Sequence, residues 1–224
     1  MAKALGHTDD YQQLMQRSEN WRNVINPTTG YADGRHADGR WENNDDVVHR
    51  KPYITEGATC HYTWYVPQNI KGLMDVMGGL QSFVERLDEL FSEKRYWHGN
   101  EPCHQVAWLY SLAGEPAKCR QQIGHILATE YNDSPGGLSG NDDAGQMSAW
   151  QVFAHLGFYP VCPATTQYVL GGSQFQRITI NQPGGKPFVI QRATDGYYRL
   201  NGRELSQPLL EHADLVRGGE LFIP

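Results

Sequence analysis

The chain has 224 residues, 39% of them apolar and 20% charged, with a formal net charge of −6. Such a chain makes one large globular domain, or one domain with an appendage. The negative balance argues against a nucleic-acid footprint, and no apolar run reaches the length of a membrane span.

Residues 1–7 contain no apolar core of a signal peptide. Residues 8–24 are expected to be helical. Thr8 or Asp9 can cap the segment, and Tyr11, Leu14, Met15, Trp21 and Val24 keep a mostly helical spacing. Asn26-Pro27-Thr28-Thr29-Gly30 stops it. Residues 31–55 read as a long polar loop containing two Asp-Gly turns, at Asp33 and Asp38, and the run Asn43-Asn44-Asp45-Asp46. A loop of that length is usually functional or disordered, and Tyr31 and Trp41 argue against disorder.

Helices are then expected over 59–65, 69–77, 82–91, 102–112, 115–131 and 143–156, in pairs joined by Gly- and Pro-containing turns. Pro102 and Pro116 stand at helix starts, where a missing N–H does no harm. After Pro163 the pattern changes to short β-like runs at 168–170, 177–180, 188–190, 197–200 and 220–223. Turn residues at 181–185, 195–196 and 201–202 separate them, which predicts antiparallel strands. The chain therefore reads as mainly α, with a helical part over 1–163 and a small antiparallel β module over 164–224. It starts on a lone helix and stops on a strand, so both ends are expected to be cuts in a longer protein.

Three acidic clusters lie at expected helix starts. Thr55-Glu56-Gly57 precedes a segment rich in Tyr and Trp, where Glu56 suits a general acid or simply serves a helix dipole. Gly99-Asn100-Glu101-Pro102-Cys103-His104 gathers an amide, a carboxylate and an imidazole that can face one pocket or offer oxygens to a hard cation; capping by Asn100 accounts for it equally. Gly140-Asn141-Asp142-Asp143-Ala144-Gly145-Gln146 precedes Trp150, Phe153, Leu156 and Phe158. Such a turn suits a water-activating base, a cation site, or a capped helix start without chemistry. Six Trp and twelve Tyr outnumber seven Phe, so many rings carry polar tips. Such rings stack on sugar faces, although most belong to cores. The spacing of Cys60, Cys103, Cys119 and Cys162 fits no zinc pattern and suggests mostly free buried thiols. The sequence holds no His-Glu-x-x-His helix, no phosphate loop and no Gly-x-Ser-x-Gly elbow.

Together with Trp64-Tyr-Val-Pro67-Gln68, Gly136-Gly137-Leu138, Gly157-Phe-Tyr-Pro-Val161 and Tyr168-Val-Leu-Gly171, these clusters occur in an order that resembles glycoside hydrolase family 92, the calcium-dependent exo-acting α-mannosidases. The resemblance covers most of the chain from about residue 10 and implies the later part of an (α/α)6 toroid with its closing β segment. The N-terminal β-sandwich and early helices are expected elsewhere, in the rest of a longer enzyme or another copy of the chain. It further implies Ca2+, a mannose-containing glycan and a periplasmic or secreted location. Hydrolysis would invert the anomeric carbon, with Ca2+ touching the mannose 2- and 3-hydroxyls.

By motif, Glu56 matches the general acid and Asp143 the general base. Asn141 stands where many members have a second, supporting Asp. Asn100 and Glu101 match the segment that reads the leaving-group side, and Asp142 and Gln146 are expected at the substrate. Glu101, Cys103 through its carbonyl, His104 and Asp143 lie in segments that surround calcium. Ala58-Thr59-Cys60 replaces the family's frequent Asn-Ala-Trp after the acid. Two other readings are a non-catalytic sugar-binding or assembly module and a toroid glycosidase of different specificity.

Overall fold

A computed structural model describes residues 1–42 and 46–224; Asn43, Asn44 and Asp45 of the expected polar loop lie outside the described residues. The expected first helix is two pieces, α1 (Thr8–Arg17) and a 3-10 turn (Asn20–Val24). They part at Ser18, whose hydroxyl donates to the Met15 carbonyl at 2.6 Å and satisfies a group that would otherwise continue the helix. Next come α2 (Thr59–Tyr62), α3 (Ile70–Val76) and α4 (Leu80–Ser92). Helix α4 buries Phe83, Val84, Leu87 and Leu90, one stripe at helical spacing.

The helix expected over 102–112 is instead two 3-10 turns (Glu101–Cys103 and Val106–Trp108) followed by the short α5 (Leu109–Leu112). Cys103 through Tyr110 are buried without interruption, so this segment has no solvent face and packing sets its path. Helix α6 (Pro116–Thr129) starts on its proline and buries Cys119, Ile123 and Ile126. Helix α7 (Gln146–Leu156) lies between two left-handed glycines, Gly145 (φ 101°) and Gly157 (φ 89°). It begins three residues later than the apolar pattern suggests, because Asp143 (φ 44°) and Ala144 (φ 58°) are left-handed and cannot join a right-handed helix.

Beyond α7 the chain forms strands β1 (Phe158–Tyr159), β2 (Gln167–Leu170), β3 (Arg177–Ile180), β4 (Phe188–Arg192), β5 (Arg199–Leu200), β6 (Arg203–Glu204), β7 (Leu209–Glu211) and β8 (Gly219–Ile223), with helix α8 (His212–Arg217) before the last. They make a three-stranded sheet in the order β1-β2-β7 and a five-stranded sheet in the order β3-β4-β8-β5-β6. The expectation of purely antiparallel strands needs one correction. β4 and β8 run parallel, from Phe188 beside Gly219 to Arg192 beside Ile223. A parallel pair needs a crossover rather than a hairpin, and the segment from β5 through α8 supplies it. β1, before residue 163, pairs with β2 beyond it, so the helical and β parts share a ladder.

Two apolar clusters hold the fold. The larger surrounds Trp64, Leu73, Leu87, Trp108 and Trp150; the smaller joins Phe158, Leu170, Phe188, Ile190, Leu210, Leu221 and Ile223, and Phe153 packs against both. All four cysteines are free, with Cys60, Cys103 and Cys119 buried. Burial pushes the Cys60 thiol up to about 11 and those of Cys103 and Cys119 up to about 12, so they stay protonated and unreactive. Among the described residues no helix is long and apolar enough to cross a membrane.

Leu221 is fully buried in β8, between β4 and β5. Leu221→Ala is expected to cost about 2–5 kcal/mol in denaturant unfolding, a methylene-deletion cost that a surface change on the same strand would not show.

Candidate active site

Three turns distant in sequence meet at one place, and glycines let them meet. The Gly99 and Gly140 backbones touch: a Cβ built on Gly140 would overlap the Gly99 carbonyl, and one on Gly99 would lie 2.8 Å from the Ser139 carbonyl oxygen. A Cβ on Gly57 would lie 2.7 Å from the Tyr62 ring and 3.3 Å from the Asn100 amide nitrogen. Tyr62 ties two of these turns together: its hydroxyl donates to the Thr55 carbonyl and accepts from Asn100 Nδ2 at 3.5 Å. Behind them the Ala58 N–H donates to His61 Nδ1 at 3.1 Å. His61 Nε2 therefore carries the proton and donates to the Arg95 carbonyl at 2.9 Å.

The turns open onto a cavity of about 400 Å³, whose wall includes Glu56, Asn100, Glu101, Asn141 and Asp143, with Arg50, His61 and Trp97. Asn100 is buried and Glu101 half-buried, whereas Glu56, Asn141 and Asp143 are exposed to solvent. Glu56 (φ 62°) and Asp143 (φ 44°) both sit on left-handed backbone. Each such residue costs about 1–2 kcal/mol without a glycine, a strain that collects at functional sites.

Three carboxylates, Glu56, Glu101 and Asp143, share the wall. Glu101 Oε1 is buried without a hydrogen-bond partner. Burial, first, and then the hydrogen bond and charge of Asp143 and the charge of Glu56 push the Glu101 carboxyl above its ordinary range. Among the described lining residues only Arg50 carries a fixed positive charge. An orphaned carboxylate oxygen beside a second carboxylate and amide oxygens is the donor chemistry of a hard, oxygen-seeking cation. Among the described residues no three His, Cys, Asp or Glu side chains form a closed shell of ligands. Further oxygens for such an ion would therefore come from backbone, water or substrate.

The structure thus brings together Glu56, Asn100, Glu101, Asn141 and Asp143. It does not bring the side chains of Asp142, Gln146 or His104 to the cavity, nor is Cys103, expected there through its carbonyl, among the residues of the wall. Asp142 caps the start of α7, accepting from the Ser148 N–H at 2.9 Å and the Ser148 hydroxyl at 3.1 Å. Gln146 points inward and donates to Tyr159 Oη at 3.2 Å. Cys103 and His104 are buried. Sequence reasoning left out Arg50, Tyr62, His61 and Trp97, which line or support the site. Arg50 sits in a polar loop with no periodicity to mark it. The repeated Gly-Asn pair, Gly99-Asn100 and Gly140-Asn141, was a visible signal for the backbone contact.

Beneath the cavity, His98 and His104 are buried beside Trp150, with His98 centred 4.4 Å from that ring and 4.7 Å from His104. Burial, and for His98 also the neighbouring His104, drives these imidazoles down to about 3 and about 4, so both are neutral.

The sequence model of the glycosyl hydrolase family 92 catalytic domain matches residues 1–223. A solved family GH92 alpha-mannosidase from Bacteroides thetaiotaomicron is 38% identical with a TM-score of 0.90, covering 99% of this chain and 32% of that one. It has also been solved in complex with mannoimidazole. A family GH92 inverting mannosidase from Bacteroides thetaiotaomicron VPI-5482 is 32% identical, with a TM-score of 0.90 over 99% of this chain and 34% of that one. An uncharacterized secreted glycosidase of Arthroderma benhamiae is 27% identical over 254 residues, 99% of this chain and 33% of that protein. The chain spans about a third of the length of these relatives.

Two outcomes are expected. Gly140→Ala forces the Gly99 and Gly140 backbones apart and should lower the urea midpoint by the equivalent of about 1–3 kcal/mol; Gly136→Ala, with open space around its Cβ, is the control. Second, the two buried imidazoles make stability depend on pH. Above pH ~6.5 neither the folded nor the unfolded chain protonates them, and their contribution is fully present. As pH falls towards their folded values of about 4 and about 3, the unfolded chain takes up protons that the core refuses, and stability drops. Thermal melting between pH 7 and 4.5 should show that decline, and His98→Phe should flatten it.

Proposed function

The chain belongs to glycosyl hydrolase family 92, and on that premise we propose that it forms the later part of the catalytic domain of an inverting exo-α-mannosidase. In this reading its helices are the later pairs of an (α/α)6 toroid, and a β-sandwich outside this chain covers the cavity. The enzyme is exported, as the name of the Arthroderma benhamiae relative suggests for that protein. It removes terminal α-mannose from glycans with calcium assistance. One observation carries the reading: Glu56, Glu101 and Asp143, from three distant turns, share one cavity with Asn100 and Asn141. The names of the similar solved structures, which are mannosidases, support the choice of sugar.

The chemistry follows from two carboxyl groups on opposite faces of one bound ring. Glu56, protonated, gives its proton to the glycosidic oxygen as the bond from that oxygen to the anomeric carbon breaks. Asp143 takes a proton from a water that attacks the anomeric carbon from the other face. The water's oxygen forms the new bond, and the leaving sugar departs as an alcohol. Inversion requires the carboxyl groups roughly 6.5–9.5 Å apart, so that the water fits between ring and base. Asn141 supports the base without the charge of a second carboxylate, and Asn100 and Glu101 face the leaving-group side. Calcium, held by Glu101 and Asp143, would supply positive charge for the sugar hydroxyls and for the crowded carboxylates.

A second reading rests on the exposure of Glu56, Asn141 and Asp143: with one wall open, the chain by itself binds mannose without turning it over. Calorimetric titration with mannose and calcium separates the two, since binding without turnover favours this second reading.

The decisive kinetic test is hydrolysis of an aryl α-mannoside followed by NMR. β-Mannose is expected first, and chelation of calcium should lower the rate. Glu56→Gln and Asp143→Asn should each reduce kcat by about 10²–10⁴-fold. Full activity in either variant, or α-mannose as the first product, contradicts the assigned roles.

A further inference from the structure

Resting on that reading of the site, we infer that Tyr131, His98 and His104 are positioning residues that fix the Glu101 turn against the Asp143 turn. Glu101 lies three residues after His98 and three before His104, and Asp143 lies three residues before Gln146. Three hydrogen-bonded bridges join these flanks. The Tyr131 hydroxyl donates to the Met147 carbonyl at 3.0 Å, so it accepts from His98 Nε2 at 2.6 Å; His98 Nδ1 then accepts from the Tyr96 hydroxyl at 2.7 Å. His104 Nε2 donates to the His98 carbonyl at 3.0 Å, which leaves its Nδ1 to accept from Gln146 Nε2 at 3.4 Å. Trp150, one turn into α7, donates from Nε1 to the His104 carbonyl at 2.8 Å. The Tyr131 ring stacks on Trp150 at an interplanar angle of 3°.

Every polar atom of both imidazoles is thereby used, and one tautomer satisfies each ring. None of these side chains lines the cavity. Their polar groups would be costly to bury for packing alone, and apolar side chains would fill the space. What they add is direction: the bridges define the separation of the 98–104 and 146–150 segments, from which the two carboxylates project. Two groups that must act on one ring tolerate little displacement, and a 1 Å error can cost about 100-fold.

The test uses Tyr131→Phe, which removes the central hydroxyl and keeps the stacked ring, in this chain and in the longer enzyme that contains it. Expected are a fall in kcat of about tenfold or more with KM changed less than about threefold. His98→Gln, whose Nε2 can still donate to Tyr131, should retain more activity than His98→Phe. Independently of activity, hydrogen exchange of Tyr131→Phe should rise in 98–104 and in 141–147 together. Wild-type kcat in Tyr131→Phe, or faster exchange confined to one of the two segments, overturns the proposal. A wild-type protein that neither binds nor hydrolyses mannosides sinks the mannosidase reading instead, and the exchange measurement still decides whether the bridges position the turns.

Discussion

Two backbones in contact, Gly99 against Gly140, are what the rest of the site depends on. The carboxylates come from positions 56, 101 and 143, and no local rule of helix or strand brings such distant residues together. A side chain at either glycine would hold the Glu101 and Asp143 turns at least a methyl group further apart. Gly57 makes the third approach possible in the same way, against Tyr62 and Asn100. The fold thus concentrates negative charge by removing side chains, and the orphaned Glu101 oxygen is the electrostatic consequence.

That concentration is supported from below. The aromatic and imidazole layer of His98, His104, Tyr131 and Trp150 lies beneath the turns, fully hydrogen-bonded and uncharged. A charged imidazole there would be stranded in an apolar surround, which is why burial keeps both rings neutral. Tyr131 and Trp150 of this layer belong to the same buried cluster as Trp64, Trp108 and the α4 stripe. Glu56 and Asp143, at the mouths of two of these turns, both hold left-handed backbone that only glycine adopts without cost.

Much of this was legible in the sequence, for physical reasons that differ from element to element. Helix α4 was readable because Phe83, Leu87 and Leu90 follow one helical face. Helix α6 was readable because Pro116 marks its start. The segment 102–112 was not, because residues buried all round carry no periodicity. The parallel pairing of β4 with β8 was hidden for a related reason: short apolar strands look alike whichever way their neighbour runs. Turn chemistry and family resemblance singled out Glu56, Asn100, Glu101, Asn141 and Asp143, and the fold brings these five to one cavity. Asp142 and Gln146 were drawn in with Asp143 by adjacency, but a left-handed residue redirects its neighbours, and their side chains cap α7 and enter the core instead. Arg50 and Trp97 gave no local signal, since only the folded chain brings them to the wall.

In the proposed mechanism Glu56 and Asp143 flank a single sugar from opposite sides. A crystal structure of the protein with bound mannoimidazole tests it most directly. The sugar-shaped ring is expected in the cavity lined by Trp97, with the two carboxyl groups roughly 6.5–9.5 Å apart and a water between ring and Asp143. A ring bound elsewhere, or carboxyl groups facing it from the same side, would contradict it.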